Sequence, residues 1–234
     1  MKSMVGSTLV VLFAVVALAG AKEPRKKNNT APVKWKTMFD GKSLAGWQIV
    51  EGKIDKEADY ENHGKVEIKD GCLVLGTGQP ATGVRWKHKL PKSNYEVTLD
   101  GKRVKGSDFF CGMSFPVGDG ALTLILGGWG GWVVGLSKID GDFAVDNETC
   151  QSVEFQNDRW YHVRVRVTDA QVKVWLDDQE LIDLDRANHK FEVSWEMEPC
   201  LPFGFATWQT GGALRHIRYR VLKPETNQKS AAPK

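Results

Sequence analysis

Alternation between apolar and polar residues is the dominant pattern along this chain, and it recurs in short runs. Between positions 161 and 168, apolar Tyr and Val alternate strictly with polar His, Arg and Thr, and residues 171–176 repeat the pattern. Because successive side chains of a strand point to opposite faces, this alternation predicts β-strands with one buried face. Asp70-Gly71 separates the runs 66–69 and 72–75. That dipeptide supplies the backbone angles of a tight turn and predicts a hairpin.

Comparable runs fall at 95–99, 180–184, 203–208 and 217–221, separated by turn-forming residues. Outside the first 21 residues, no stretch longer than about ten residues keeps the 3.6-residue period of a helix, so we expect helices only as short connectors. The chain also lacks a repeat of fixed period, which argues against a propeller. The pattern predicts an all-β protein, an antiparallel β-sandwich of a dozen or more strands.

The two ends of the chain differ from this body. Residues 1–21 contain an early lysine, an uncharged apolar run and small residues before Lys22, which is the order of a secretory signal peptide. The apolar run is shorter than a membrane-spanning helix needs. We therefore expect an exported protein, periplasmic or extracellular, that has no transmembrane segment once the leader is removed. The expected segments are a leader (1–21), a basic linker (22–34), one β-sandwich domain (35–222) and a disordered tail (223–234).

The net charge of +3 is unevenly distributed. Residues 1–34 hold six basic residues and one acidic residue, a charge of +5, whereas residues 35–222 carry −4. A mildly acidic body argues against a nucleic-acid partner, because such proteins present basic surfaces. The four cysteines are widely spaced with no C-x-x-C pair, so we expect free or partly paired thiols rather than a disulfide scaffold.

Tryptophan is the most unusual component, with nine in the chain. Trp129 and Trp132 lie in a run of glycines at 127–132, and small neighbours leave an indole face uncovered. Flat apolar rings beside polar groups suit the faces of sugar rings. Trp208, next to Gln209, is a third candidate, although a purely structural role for these three indoles is an equally good interpretation. We expect the core to take five others: Trp35, Trp47, Trp86, Trp160 and Trp195.

Two groups of carboxylates are candidates for chemistry. Asp108 stands at the mouth of a hydrophobic strand, where burial would raise its pKa and favour use as an acid. An aspartate that caps a turn gives the same pattern. Asp140, Asp142 and Asp146 concentrate oxygen ligands suited to Ca²⁺ on one loop, but Asp and Gly in succession are also typical of turns. No other cofactor is indicated.

Four segments of the chain resemble the domain of unknown function 1080 family, also called 3-keto-disaccharide hydrolase domains. The run 38–47, Met-Phe-Asp-Gly-Lys-Ser-Leu-Ala-Gly-Trp, is similar to the opening of that family. Residues 69–74 resemble its next hairpin, and 157–161 and 175–183 resemble its late strands. The family pattern Asn-Ser-Gly is replaced here by Phe110-Cys111-Gly112.

The resemblance implies a concanavalin A-like jelly roll with a face open to carbohydrate, and cleavage of glycosides oxidised at the 3-position of the sugar. That cleavage requires a base, an acid and a group that stabilises the carbonyl oxygen. The candidate acid, base and oxyanion partners are Asp108, Glu148 and either Arg85 or His88. The candidate sugar-binding residues are Trp129, Trp132, Trp208 and Gln209.

The first hypothesis is therefore an exported hydrolase or lyase that acts on 3-keto-disaccharides. The alternative is a non-catalytic carbohydrate-binding or laminin G-like adhesion module that uses the same surface. Convergence of Asp108, Glu148 and the tryptophans on one site would favour catalysis by this set.

Overall fold

The computed structural model describes residues 33–52 and 60–224. The expected leader, most of the expected linker and most of the expected tail lie outside the described residues. Among the helices of the described ranges, none has the length and apolar character to span a bilayer.

Two antiparallel sheets contain all the strands of the described residues. Their order is β13-β12-β11-β6-β15-β4-β3 in one sheet, in which β1 also pairs with β15, and β10-β9-β8-β7-β14-β5-β2 in the other. The eight-stranded sheet consists of β1 (Lys36–Thr37), β3 (Val66–Lys69), β4 (Cys72–Leu75), β6 (Tyr95–Lys105), β11 (Tyr161–Val167), β12 (Gln171–Leu176), β13 (Gln179–Asp185) and β15 (Gly211–Val221). The seven-stranded sheet consists of β2 (Trp47–Ile49), β5 (Ala81–Trp86), β7 (Cys111–Val117), β8 (Gly120–Gly127), β9 (Val133–Ser137), β10 (Gln151–Ser152) and β14 (Gly204–Trp208).

The expected all-β antiparallel sandwich is thus confirmed. The hairpin β3–β4 pairs Lys69 with Cys72. Its turn residues Asp70 and Gly71 both have positive φ angles, 51° and 74°, as the tight two-residue turn requires. Helical structure in the described ranges is limited to a turn at Gly128–Gly131 and a 3-10 helix at Trp195–Cys200, in agreement with the expectation of short connectors.

The core lies between the two sheets and follows the alternation of the sequence. On β11, Tyr161, Val163, Val165 and Val167 are buried, while the side chains between them point outward. Removing such side chains from water contributes roughly 1.5–3 kcal/mol for each large apolar residue. The burial of these alternate positions fixes the register of the sheet, because a shift of one residue would expose them all.

The prediction that five tryptophans fill the core holds for Trp47, holds in part for Trp86, which packs on Trp47 at the edge of the core, and is wrong for the other three. Trp47 is 3% exposed, and it packs against Phe203 and Phe205. Phenylalanine, tyrosine and aliphatic residues, with a few methionines and a cysteine, occupy the rest of the interior. The half-buried tryptophans are Trp35, Trp86, Trp160 and Trp195.

The outer face of the seven-stranded sheet is covered by two segments. The 3-10 helix packs on β5, β7 and β14, with Met197 and Cys200 buried. The segment 139–150 covers β9, where the Ala144 side chain lies 2.9 Å from the position of a Cβ on Gly135. Because the two segments cover different strands, part of the sheet face between them is left open.

The outer face of the eight-stranded sheet is charged. Glu96 is 1% exposed and accepts hydrogen bonds of 2.8 Å from both Arg166 and Arg220. Arg164 lies 3.9 Å from the same carboxylate and stacks on the Trp175 ring. A buried carboxylate surrounded by guanidinium groups therefore links three strands of this face.

Candidate functional site

A pocket of about 290 Å³ opens on the outer face of the seven-stranded sheet. Its volume is at the small end of the range of ligand pockets, about 300–1,000 Å³. Most of its lining is aromatic or aliphatic, with two carboxylates. The lining residues are Asp108, Phe109, Ile125, Trp129, Phe143, Trp195, Glu196 and Trp208.

The indoles of this pocket are arranged in two groups. Trp208 lies 6.3 Å from Phe109 in a stacked arrangement and 6.1 Å from Trp195 edge to face, measured between ring centroids. Trp129 meets Phe143 edge to face at 6.3 Å. Ring pairs at these separations hold one another in place, so each indole presents a fixed surface to the pocket.

The glycine-rich run 127–132 places Trp129 on the pocket. Trp129 has a left-handed backbone, with φ 48°. Gly131 has φ 102°, and a Cβ there would lie 2.7 Å from Arg103 Nη1 and 2.8 Å from the Ser107 carbonyl oxygen. Only glycine fits this close approach. Trp129 is 40% exposed as a result, which confirms that the glycines leave its indole uncovered.

Asp108 and Trp208 are held together by the loops that carry them. The Asp108 backbone N–H donates to Thr210 Oγ1 at 2.9 Å, and the Trp208 N–H donates to the Phe109 carbonyl at 3.1 Å. The turn between β14 and β15 is therefore fixed to the loop between β6 and β7. Asp108 Oδ1 also accepts the Phe109 N–H at 2.7 Å, so this aspartate both stabilises a turn and lines the pocket.

Burial raises the pKa of Asp108 above its usual value. The backbone N–H groups of Phe109 and Gly130 and the charge of Arg103 act in the opposite direction without overcoming it. Arg103 is itself 8% exposed and is held by Asn157 Oδ1 and the Phe155 carbonyl, both at 2.6 Å. A half-buried carboxyl with a raised pKa in an apolar pocket is suited to act as an acid.

Glu196 brings a second carboxylate to the pocket from the 3-10 helix. Its Oε2 accepts a hydrogen bond from Ser194 Oγ, and its backbone carbonyl accepts one of 2.7 Å from the hydroxyl of Tyr60. Tyr60 is fully buried, and burial raises the pKa of its phenol well above the usual range. The neutral, buried Tyr60 thus holds the backbone of Glu196 in place.

Of the predicted site residues, Asp108, Trp129 and Trp208 come together at this pocket, and Glu148 does not. Glu148 is exposed on segment 139–150 with one oxygen 3.6 Å from His189 Nε2. The expectation that it joins Asp108 is therefore wrong, because the loop turns it toward His189 instead.

The other four predicted residues also lie outside the pocket lining. Arg85 is exposed on β5 and donates twice to Gln48 Oε1, at 2.9 and 3.1 Å. His88 is exposed and packs on Trp86, with ring centroids 4.9 Å apart. The predicted sugar contacts Trp132, 45% exposed, and Gln209, exposed in the β14–β15 turn, are likewise absent from the lining.

The calcium prediction at Asp140, Asp142 and Asp146 is not supported by the geometry. Asp140 accepts hydrogen bonds from His189 Nδ1 and the Lys190 N–H, both at 2.7 Å, so its oxygens are engaged. Within 33–52 and 60–224, no group of three or more His, Cys, Asp or Glu side chains is arranged to hold a metal ion. The residues serve the turn, as the alternative interpretation holds.

Trp195 and Glu196 are the functional candidates that sequence reasoning missed. Trp195 was expected in the core, and Glu196 is one of many carboxylates outside any motif. Their place on the pocket depends on how the 3-10 helix crosses the sheet, for which the alternation of polar and apolar residues carries no signal.

Solved structures that resemble this chain share little sequence with it. The Crh5 transglycosylase in complex with NAG is 11% identical, with a TM-score of 0.53 over 80% of this chain and 83% of that one. Its apo form is also 11% identical, with a TM-score of 0.52 over 82% and 85%. The carbohydrate-binding module CBM66 from Bacillus subtilis is 13% identical, with a TM-score of 0.46 over 75% and 95%. The likeness to the two Crh5 structures concerns the fold alone.

A comparison with curated proteins gives no match. The model of the 3-keto-alpha-glucoside-1,2-lyase-like domain matches residues 34–223. This range covers both sheets, the pocket and all four segments on which the resemblance was based. The chain therefore belongs to the 3-keto-alpha-glucoside-1,2-lyase-like domain family, the 3-keto-disaccharide hydrolase domains.

Proposed function

We propose that this protein is an exported enzyme that cleaves 3-keto-glycosides in the aromatic pocket. The observation that carries the proposal is a carboxyl of raised pKa, Asp108, in a sugar-sized pocket that a second carboxylate, Glu196, also lines. Membership of the family supports the substrate class. The indoles support a sugar ligand, because they offer apolar faces to the C–H groups of the ring.

The reaction follows from the acidity that a 3-keto group gives to the neighbouring C2–H. In the proposed reaction, Glu196 takes the C2 proton, and the electrons of that bond form an enolate with the 3-keto oxygen. The enolate then expels the glycosidic oxygen from C1, and Asp108 protonates the departing oxygen. Water adds to the resulting double bond in a later step, which gives hydrolysis overall.

The apolar lining strengthens the electrostatic interactions that assist these proton transfers. Phe109, Ile125 and Phe143 exclude water from part of the pocket, and electrostatic interactions are stronger where water is excluded. Among the described residues that line the pocket, Asp108 is the one assigned to supply the proton of the departing glycosidic oxygen.

The first test is turnover of a 3-keto-glucoside by Asp108→Asn and Glu196→Gln variants. Each substitution removes one proton-transfer group, so kcat/KM is expected to fall at least about a hundredfold. Glu198→Gln is the matched control, because Glu198 lies on the same 3-10 helix but is exposed and outside the pocket lining. We expect less than a threefold change, about the effect of an exposed substitution.

The same assay distinguishes catalysis from binding alone. Unchanged turnover in both pocket variants would refute the roles of Asp108 and Glu196. A folded wild-type protein that binds oxidised and unoxidised disaccharides equally and cleaves neither would show a binding module instead. Quenching of tryptophan fluorescence reports the binding. The Trp208→Ala substitution should abolish sugar binding whether the protein is an enzyme or a binding module.

Export is the second part of the proposal and rests on the leader-like residues 1–21. Mass spectrometry of the protein from its native host is expected to give a mature N-terminus near Lys22. Recovery of the intact chain from the cytoplasm would contradict export.

A further inference from the structure

A second pocket, of about 510 Å³, lies on the eight-stranded sheet and contains a cluster of charged side chains. Asp100, His162, His216 and Arg218 all line it. The residues come from three neighbouring strands, β6, β11 and β15. They are far apart in sequence, so no local motif indicates the cluster.

An irregularity in β15 creates this cluster. Arg215 pairs with Asp100 and Arg218 pairs with Thr98, so two residues of β15 face one residue of β6. This is a β-bulge, which turns side chains out of the regular alternation. His216 lies within it and has φ 55°, a backbone conformation that is uncommon for any residue except glycine. Strained backbone of this kind is found preferentially at functional sites.

Both oxygens of Asp100 are engaged by the cluster. Oδ1 lies 2.8 Å from His162 Nδ1, and Oδ2 lies 2.8 Å from His216 Nδ1 and 3.2 Å from Arg215 Nε. A carboxylate only accepts hydrogen bonds, so each Nδ1 carries a proton and each Nε2 is the atom that gains or loses one. In the described part of the chain, neither Nε2 has a hydrogen-bond partner.

Arg218 supplies further donors to the same pocket. Its Nε donates to Thr98 Oγ1 at 3.1 Å, and the guanidinium stacks on the Trp35 ring at 4.8 Å. Within the described ranges its remaining N–H groups have no carboxylate partner. A guanidinium held flat with free N–H groups is preorganised to bind an oxyanion.

The charges around the pocket favour an anion over a metal ion. Asp100 is the carboxylate of the described lining, and Asp177, after β12, accepts the His162 backbone N–H at 2.9 Å and pairs with Arg159 at 2.8 Å. Arg215 and Arg218 are permanently positive, and protonation of both histidines would add two charges. The other charged neighbours are already engaged: Lys36 on Tyr219, Lys102 with Asp158, and Arg164 with Glu96.

We propose that this pocket is a second binding site, selective for a small oxyanion such as sulfate or the carboxylate of an acidic sugar. Binding strengthens as His162 and His216 become protonated, because each then presents an Nε2–H donor beside Arg218. The site lies on the opposite sheet from the aromatic pocket and does not depend on the function proposed there.

Nuclear magnetic resonance titration of the histidine Cε1–H signals tests the proposal. An anion that prefers the protonated pocket must, by linkage, raise the pH at which the two histidines are half protonated. Sulfate is the probe because its charge is constant where histidine titrates, with chloride used to keep ionic strength equal. We expect sulfate to raise the midpoints of His162 and His216, and to bind at least about tenfold more tightly at pH 5.5 than at pH 7.5.

Substitutions distinguish a specific binding site from a general effect of surface charge. His216→Asn removes the titrating ring, and asparagine tolerates the left-handed backbone. This variant should lose most of the pH dependence, while Arg218→Gln should weaken binding at both pH values. His63→Asn, which removes an imidazole bonded to the Gly64 carbonyl, is the control and should leave sulfate binding unchanged.

Comparison of glucuronate with acetate identifies the source of the oxyanion. Tighter binding of glucuronate would indicate an acidic sugar, and equal binding would indicate a free anion. The proposal is overturned if sulfate leaves the midpoints of His162 and His216 unchanged. It is also overturned if His63 shifts equally, or if folded His216→Asn protein retains the full pH dependence.

Discussion

Asn147 connects the segment 139–150 to the sheet beneath it. Its Nδ2 donates to the carbonyls of Leu136 and Phe143 at 2.8 and 2.9 Å, and its Oδ1 accepts from both the N–H and the hydroxyl of Thr149. The side chain is 9% exposed, so water cannot replace these partners. Because Phe143 lines the aromatic pocket, this one amide also positions a wall of the site.

Replacement of Asn147 by alanine is expected to lower the free energy of unfolding by about 2–4 kcal/mol. Several buried groups would lose their partners at once, and each unsatisfied group costs about 1–3 kcal/mol. Urea denaturation provides the measurement. Asp146→Ala, at the exposed neighbouring position, should change stability by no more than about 0.5 kcal/mol; equal losses in the two variants would contradict the role of the amide.

Individual site residues were predictable where a local cue existed. Glycine next to Trp129 indicated an uncovered indole, and an aspartate at the start of an apolar strand indicated Asp108. Glu148, a candidate from a loop rich in carboxylates, lies beside His189 instead of in the pocket. Glu196 has no cue, because its place on the pocket is set by contacts with Tyr60, more than a hundred residues away in sequence.

The 3-10 helix that carries Trp195 and Glu196 depends on a close approach to the sheet. A Cβ on Gly204 would lie 2.4 Å from the Val84 carbonyl oxygen and 2.6 Å from that of Cys200, at the end of the helix. Both obstacles are backbone atoms, which cannot move aside as a flexible side chain would. The absence of a side chain at position 204 therefore lets the helix dock on β14.

Gly204→Ala is expected to destabilise the protein by about 1–3 kcal/mol, the range of overpacking in a close-packed interior, and to displace the helix. Thermal unfolding measures the stability, and fluorescence of Trp195 and Trp208 reports the displacement. Gly211→Ala is a matched control within the same part of the chain, because its Cβ would meet nothing closer than 3.5 Å. A Gly204→Ala protein as stable as the control variant would disprove the close-approach argument.

Strands were the elements best predicted from sequence, and the segments that cover the seven-stranded sheet were the least well predicted. Alternation in β11 and β12 indicates one buried face directly. β7 is buried throughout, since the core covers one face and the 3-10 helix the other, and such a strand has no alternation to detect. The path of the covering segments depends on contacts between distant residues, which a local pattern does not encode.

At the scale of the whole domain, the two outer faces have different chemical character. The aromatic pocket occupies the seven-stranded sheet, and the outer face of the eight-stranded sheet presents arginines and histidines around Glu96 and Asp100. Burial raises the pKa of Asp100, but hydrogen bonds from His162, His216 and Arg215 outweigh it and hold the pKa below the usual value. A carboxyl of lowered pKa stabilises the fold above its unfolded-state pKa and loses that effect as pH falls through the folded value.

Asp100→Asn is therefore expected to lower Tm by roughly 2–4 °C at about pH 6, and the difference from wild type should narrow at about pH 3. Asparagine resembles the protonated carboxyl, so the two proteins converge as Asp100 gains its proton. Calorimetry at the two pH values measures this. Asp178→Asn, at an exposed position, is the control, and its Tm should differ little from wild type at either pH. A Tm difference between Asp100→Asn and wild type that widens at acidic pH would contradict the lowered pKa of Asp100.

All four cysteines of the chain are free, and Cys72, Cys111 and Cys200 are buried. Burial raises the pKa of Cys111 and of Cys200 to about 12, so these thiols stay protonated and unreactive. The fold therefore does not rely on a disulfide bond. Reductants such as dithiothreitol should leave its melting behaviour unchanged, which makes the sandwich a convenient scaffold for expression in either redox compartment.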